Sequence, residues 1–233
     1  MSMRVETGIS KLPTWMKRPT AASSRADGKP APKTLGEVPP VVEKLENHPE
    51  LSELWLHYGL VQKIRRKLKQ FSGKDAKVVL AKNTVGAADH KGFVYLGVEF
   101  LQQHHQNIPL VASVMAHEWG HLISNMAKAG NLDHLTWDQI FALRREEEAS
   151  ADTFCGRMLA MMGYSPDPIC QFLKDAEKEK ASPTVKYYAA PIRAAIIREA
   201  HRRHSERAAE TRKLLPKRIY ANPYTSRIIL ADE

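Results

Sequence analysis

The 233-residue chain has only two cysteines, Cys155 and Cys170. That excludes a disulfide-stapled scaffold, and both are read as buried thiols. Long apolar runs are also missing. The longest, Ile108 to Ala116, has nine residues and includes Ser113, against the ~18 that a membrane-spanning helix needs. No apolar core of ~7–15 residues follows the basic start, so no secretory signal is read there. A cytoplasmic location is expected, the alternatives being a signal already removed or export by another route. No internal repeat is present. What remains is ordinary globular material, 43% hydrophobic and 26% charged, enough for one domain that buries roughly two-thirds of its unfolded surface.

Basic charge is in excess, 35 Lys and Arg against 26 Asp and Glu, for a formal net charge of +9. It sits at the two ends. Residues 1–34 carry net +5 and residues 186–220 net +7, which leaves −3 for the rest. Such ends raise nucleic acid, an anionic membrane surface or an acidic partner as possible ligands. Residues 1–40 place Pro13, Pro19, Pro30, Pro32, Pro39 and Pro40 among Ser, Ala, Gly and Lys. This composition buries too little apolar surface to offset its ordering entropy, so it reads as a poorly ordered basic leader. The folded domain is expected over 41–215, followed by a tail over 216–233.

Hydrophobic periodicity predicts a mostly helical α+β fold with a small sheet before the central helix. Val41 to about His48 has weak helical character. Leu51, Leu54, Trp55, Tyr58, Val61, Ile64 and Leu68 recur at spacings of three and four, which predicts one helix over 51–71 ended by Ser72-Gly73. Val78-Val79-Leu80 and Gly92 to Gly97 read as short strands around a turn-rich stretch, 83–92. A short helix follows over 98–105. Pro109 opens a helix expected to run to about Ala129 and stop at Gly130. Further helices are expected over 137–162, stopping at Gly163, from 165–168 to about Lys180, and from about Val185, after Ser182-Pro183, to Leu215.

The central helix carries His117-Glu118-Trp119-Gly120-His121. Residues i and i+4 share one helix face, so both imidazoles can reach one Zn²⁺ at ~2.0–2.1 Å. Glu118 lies where it can take a proton from a water polarised by that ion. By chance this pattern would arise in roughly 1% of such chains. A catalytic zinc site needs a third protein ligand and an open fourth position. Glu148 is the candidate. Asp152 is one turn further on the same face, placed to accept the far N–H of a ligand His. A glutamate run on a helix is ordinarily a solvated face, and Glu146 and Glu147 are read as projecting elsewhere and dispensable. His104-His105, His201 and His204 are read as surface residues, and Trp119 as packing.

H-E-x-x-H, then Glu148 and Asp152, resembles the gluzincin zinc proteases, in the branch of HtpX, BepA and the CAAX-prenyl endopeptidases. That branch has E-x-x-A-D-x-x-x-G followed by A-G-Y-x-P. This chain has Glu148-Ala-Ser-Ala-Asp152-Thr-Phe-Cys-Gly156 and Met162-Gly163-Tyr164-Ser165-Pro166. The order of strand, Asn-containing loop, second strand, short helix and motif helix also agrees, over roughly residues 50–200. The resemblance implies a zincin-like metalloprotease domain and one Zn²⁺ per chain held by His117, His121 and Glu148. It implies Glu118 as general base, and a protein or peptide substrate bound extended against an edge strand, here Gly92 to Gly97.

Two features depart from that family. The family has a His-Pro pair six residues before a late Arg, and the His helps stabilise the oxyanion. Arg193 fits the Arg, but position 187 is Tyr. Tyr187 or Tyr188 can offer an O–H donor instead, or be a core or groove residue; with Arg193 they are the candidates for an oxyanion or substrate contact. The membrane spans of HtpX are missing, which favours its compact soluble relatives. The expected activity is therefore a zinc metalloendopeptidase. The alternative is a binding module that acts through its basic ends on nucleic acid or an anionic surface.

Overall fold

The computed structural model of the chain describes residues 40–89, 91–124, 135–178 and 186–214. Outside them lie the leader (apart from Pro40), the stop at Gly130, the helix opening at Ser182-Pro183 and the 216–233 tail.

The fold is α+β and mostly helical, as the periodicity predicts, with a four-stranded mixed sheet ahead of the main helices. Strands β1 (Val41–Val42), β2 (Lys77–Lys82), β3 (Gly86–Ala88) and β4 (Phe93–Gly97) lie in the order β1-β2-β4-β3. β2 and β4 run parallel, Val78 opposite Val94 and Leu80 opposite Leu96. Those four apolar side chains are all buried. β1 pairs antiparallel with β2, and β3 antiparallel with β4. β3 lies inside the stretch read as turn, because Gly-Ala-Ala carries no β-branched or aromatic signal. Its presence makes β4 an internal strand, so the expectation that Gly92 to Gly97 offers a free edge is corrected. The free edge beside β4 belongs to β3.

The expected helix over 51–71 is also corrected. It breaks into a 3₁₀ turn (Pro49–Leu51), α1 (Ser52–Trp55) and α2 (Leu60–Ser72). Leu56 is extended, with ψ 160°, and Gly59 caps α2. The apolar spacing continues through this break because both pieces pack on the same core. The Trp55 indole donates to the Val78 carbonyl, while α2 buries Val61, Ile64 and Leu68. Residues 41–48, read as weakly helical, form β1 and a 3₁₀ turn instead.

Helix α3 (Val98–His104) leads into α4 (Ile108–Ile123), which carries the H-E-x-x-H motif. Asn107 caps α4 by accepting from the Leu110 N–H, and Pro109 occupies its first turn. α4 ends at Ile123, short of the expected limit near Ala129, with Ser124 already extended. Leu110 to Ala116 is buried on every side, as befits a central helix wrapped by others. Trp119 is fully buried and donates its indole N–H to the Ser72 hydroxyl.

Helix α5 (Trp137–Met162) follows a complete capping box between Thr136 and Gln139 and stops at Gly163, in the left-handed region at φ 75°. α6 (Asp167–Lys178) and α7 (Ala190–Leu214) complete the fold. Two glycines set how closely the long helices cross. A Cβ on Gly120 of α4 would stand 2.8 Å from the Ala151 Cα of α5, and one on Gly156 of α5 would stand 2.2 Å from the Ile197 carbonyl of α7. Any side chain there would force the helices apart. The crossings bring α4, α5 and α7 together at one level, where the motif residues lie. Cys155 and Cys170 are free, buried thiols. Among the described residues no helix is long and apolar enough to cross a membrane.

Candidate metal centre

His117 and His121 project from one face of α4 with ring centroids 4.9 Å apart, and Glu148 of α5 faces them across the helix crossing. The Nε2 atoms of the two imidazoles are 3.2 Å apart. One Glu148 oxygen is 3.2 Å from His117 Nε2, and the other is 3.6 Å from His121 Nε2. Ligands ~2.0–2.1 Å from a tetrahedral ion stand about 3.3 Å from one another. The His117–His121 and His117–Glu148 pairs already stand at that spacing, and Glu148 faces His121 through its other oxygen. They form a His/His/Glu group that can hold a metal ion.

The electrostatics carry the same signature. Burial opposes charge on His117, yet its contacts with Asp152 and Glu148 prevail and push its pKa up to about 10. Burial likewise opposes charge on His121, but Glu147, Glu118 and Glu148 outweigh it and raise its pKa. Glu148 is held below the usual carboxylate range against its own burial, by His117 first. A site that holds protons this firmly where two nitrogens and a carboxylate converge has the potential that a cation satisfies.

Asp152 is 1% exposed, and its Oδ1 lies 3.0 Å from His117 Nδ1. Arg193 of α7 grips the same carboxylate with two hydrogen bonds, Nε to Oδ2 at 2.7 Å and Nη2 to Oδ1 at 2.8 Å. This bidentate pair, in a largely buried setting, is the strongest kind of ion pair. It keeps Asp152 ionised despite its burial and raises the Arg193 pKa. Arg193, which the sequence offered as an oxyanion or substrate contact, is thus engaged with Asp152, and its Nη2 is 3.7 Å from Glu148. The Tyr187 ring lies 5.2 Å from its guanidinium carbon. Tyr187 and Tyr188 are both half-buried, in the segment leading into α7.

Glu118 is buried, and burial raises its pKa. Its wall is the edge strand. A Cβ on Gly86 would lie 3.0 Å from both Glu118 Cγ and Oε1 and 2.7 Å from a Val114 methyl. Only a glycine lets β3 pass this close to the carboxylate. Nothing in the sequence pattern signals this contact, because it depends on β3 crossing over α4.

One reading of the glutamate run is overturned. Glu147 does not project elsewhere. Its side chain is 13% exposed, with Oε1 3.7 Å from His121 Nδ1 and Oε2 2.8 Å from Arg144 Nη1. The imidazole beside it holds its carboxyl below the usual range. On an isolated helix adjacent residues point ~100° apart. The close α4–α5 crossing at Gly120 lets two consecutive glutamates reach the two sides of His121.

Comparison of the chain with protein-family models, with curated proteins and with solved structures gives no match in any of the three. The centre stands on its own geometry, His-x-x-x-His on one helix and a glutamate on the next.

Proposed function

We propose that the chain is a zinc-dependent endopeptidase of the gluzincin kind, similar to HtpX and its soluble relatives. The observation that carries this reading is the convergence of His117, His121 and Glu148, with ligand atoms all within 4.8 Å of one another, beside the buried carboxylate of Glu118. His117, His121 and Glu148 hold the ion, and Asp152, clamped by Arg193, orients His117. A bound zinc ion supplies a polarised water and a positive centre for the developing oxyanion. Glu118 is the group that would accept a proton from the attacking water and hand it to the leaving amine. Burial raises its pKa, the direction that strengthens a carboxylate as a base. The Tyr187 or Tyr188 phenol is the side-chain donor to the oxyanion.

β3 is the strand on which an extended peptide would pair. Val85 O accepts from the Gly97 N–H, and the Asp89 N–H donates to Phe93 O. By antiparallel alternation Gly86 and Ala88 turn their backbone groups away from β4. The Gly86 carbonyl already accepts the Thr84 hydroxyl at 2.6 Å. Among the described residues the Gly86 N–H and both groups of Ala88 are then left for a substrate strand, and Gly86 lies against Glu118.

The test is Glu118→Gln. Purified protein should contain close to one zinc per chain, and the variant should retain both zinc and fold. It should lose ~10²–10⁴-fold in peptide hydrolysis, the size of general acid–base catalysis. Undiminished hydrolysis by the variant would overturn the mechanism. The alternative, binding of nucleic acid through the basic ends, would instead show association that weakens steeply with salt and is indifferent to Glu118.

A further inference from the structure

We propose that Glu147 is a positioning residue for His121, the counterpart on the second imidazole of what Asp152 is to the first. The inference rests on the metal-centre reading above and extends it to a residue that the motif does not mark. Both imidazoles turn Nε2 inward, 3.2 Å apart. Both turn Nδ1 outward, toward a carboxylate of α5. His117 Nδ1 meets Asp152 at 3.0 Å, and His121 Nδ1 faces Glu147 at 3.7 Å. Each carboxylate is in turn held by an arginine, Asp152 by Arg193 of α7 and Glu147 by Arg144 one turn earlier on α5.

The two arms differ in stiffness. Asp152 is 1% exposed and bidentate to Arg193, whereas Glu147 is 13% exposed and its Arg144 is 46% exposed. The first arm is built into the helix packing. The second rests on a short i,i+3 pair at the rim, with a gap to His121 wider than a hydrogen bond. A carboxylate at that point still does two things. It favours the tautomer with the proton on Nδ1, so that Nε2 is the free donor, and it restrains ring rotation about the Cβ–Cγ bond. Without it, the His121 ring can turn its Nδ1 to the ion or leave it. Glu148 keeps His121 Nε2 company at 3.6 Å, but it contacts the wrong nitrogen to fix the tautomer.

The experiment compares full-length wild type with Glu147→Ala, Glu147→Gln and Arg144→Ala. The readouts are zinc affinity by chelator competition and the visible absorption spectrum after cobalt(II) substitution. Glu147→Ala should weaken zinc ~10–100-fold, the range found for removal of such outer partners, and should alter the cobalt spectrum. Glu147→Gln, whose amide oxygen can still accept from Nδ1–H, should recover most of the affinity. Arg144→Ala should fall between wild type and Glu147→Ala. Thermal melts of the metal-free proteins separate this role from simple support of the fold, which would lower the melting point and leave the affinity of folded protein unchanged. Zinc affinity within twofold of wild type for Glu147→Ala, with an unaltered cobalt spectrum, overturns the proposal. So does wild type that binds no zinc, but that failure falls on the metal centre itself and shows in the wild-type arm before any variant is compared.

Discussion

The inner and outer faces of α7 carry the same residue types in opposite surroundings. On the inner face Arg193 grips Asp152, with side chains 13% and 1% exposed. Two and a half turns along, on the outer face, Arg202 binds Glu199 and Glu206 at 2.7–2.8 Å. The distances are almost the same, and the physics is not. Outside, water screens each charge and solvates it again when the pair opens, so the contacts are held at little net gain. Inside, the charges are largely stripped of water, and each depends on the others. Arg193 holds Asp152, which holds His117, which shares Glu148 with His121. Ion-pair length therefore says nothing about importance here. What matters is whether removal of one partner strands another in a place that water cannot reach.

The largest effect expected from breaking this contrast is at the inner clamp. Arg193→Ala leaves Asp152 buried with only His117 to balance it. Loss of one partner from a buried pair destabilises by ~3–5 kcal/mol, and urea unfolding of metal-free protein should report a shift of that order. Zinc affinity should fall as well, because His117 loses a fixed acceptor. A shift below about 1 kcal/mol, the ceiling for exposed pairs, would erase the distinction between the faces.

A pH scan sharpens the comparison without any mutation. In metal-free protein the His117 pKa stands at about 10, against ~6.5 in an unfolded chain. A raised folded pKa stabilises fully below the unfolded value and loses that contribution as pH climbs through the folded one. Between pH ~6.5 and ~10 the unfolded chain binds fewer protons than the folded one, so stability must fall. Thermal melts in chelator should therefore drop steadily across this window. With zinc in place of the proton, the drop should largely vanish. The outer pairs contribute nothing to the trend, since Glu199 is held at about 2 by Arg202 and Arg203 and stays ionised throughout. Parallel curves with and without zinc would mean that His117 is not where metal binds.

Much of this arrangement is legible in the chain because it depends on local spacing. His117 and His121 are one helical turn apart, and so are Glu148 and Asp152, and a 3.6-residue period fixes which of them share a face. α5 is bounded by a capping box and a terminal glycine, both readable from residue identity. What escapes is set by contacts between elements distant in sequence. β3 is made of Gly86, Ala87 and Ala88, residues with no strand preference, and it exists because β4 offers an edge. Glu147 reads as solvated until Gly120 brings α4 against Ala151. Arg193 reads as a late motif residue until α7 crosses α5 at Gly156 and sets it on Asp152. The glycines are visible in the sequence, but the surfaces they meet are not.

The smallest effect should come from the outer face, and its smallness is the test. Arg202→Ala removes a guanidinium that makes four hydrogen bonds to Glu199 and Glu206. That is twice the number Arg193 makes to Asp152. Yet all three side chains stand in water, and Glu199 keeps Arg203 at 2.6 Å as a second partner. Opening the pair returns each charge to solvent rather than stranding it, and alanine is itself a better helix former than arginine. Melting temperature and zinc affinity should both stay within error of wild type. Measured beside Arg193→Ala, at the same ionic strength, the pair of variants isolates burial as the variable. A marked loss of stability in Arg202→Ala would mean that the outer face is covered, and would point to a partner seated on α7.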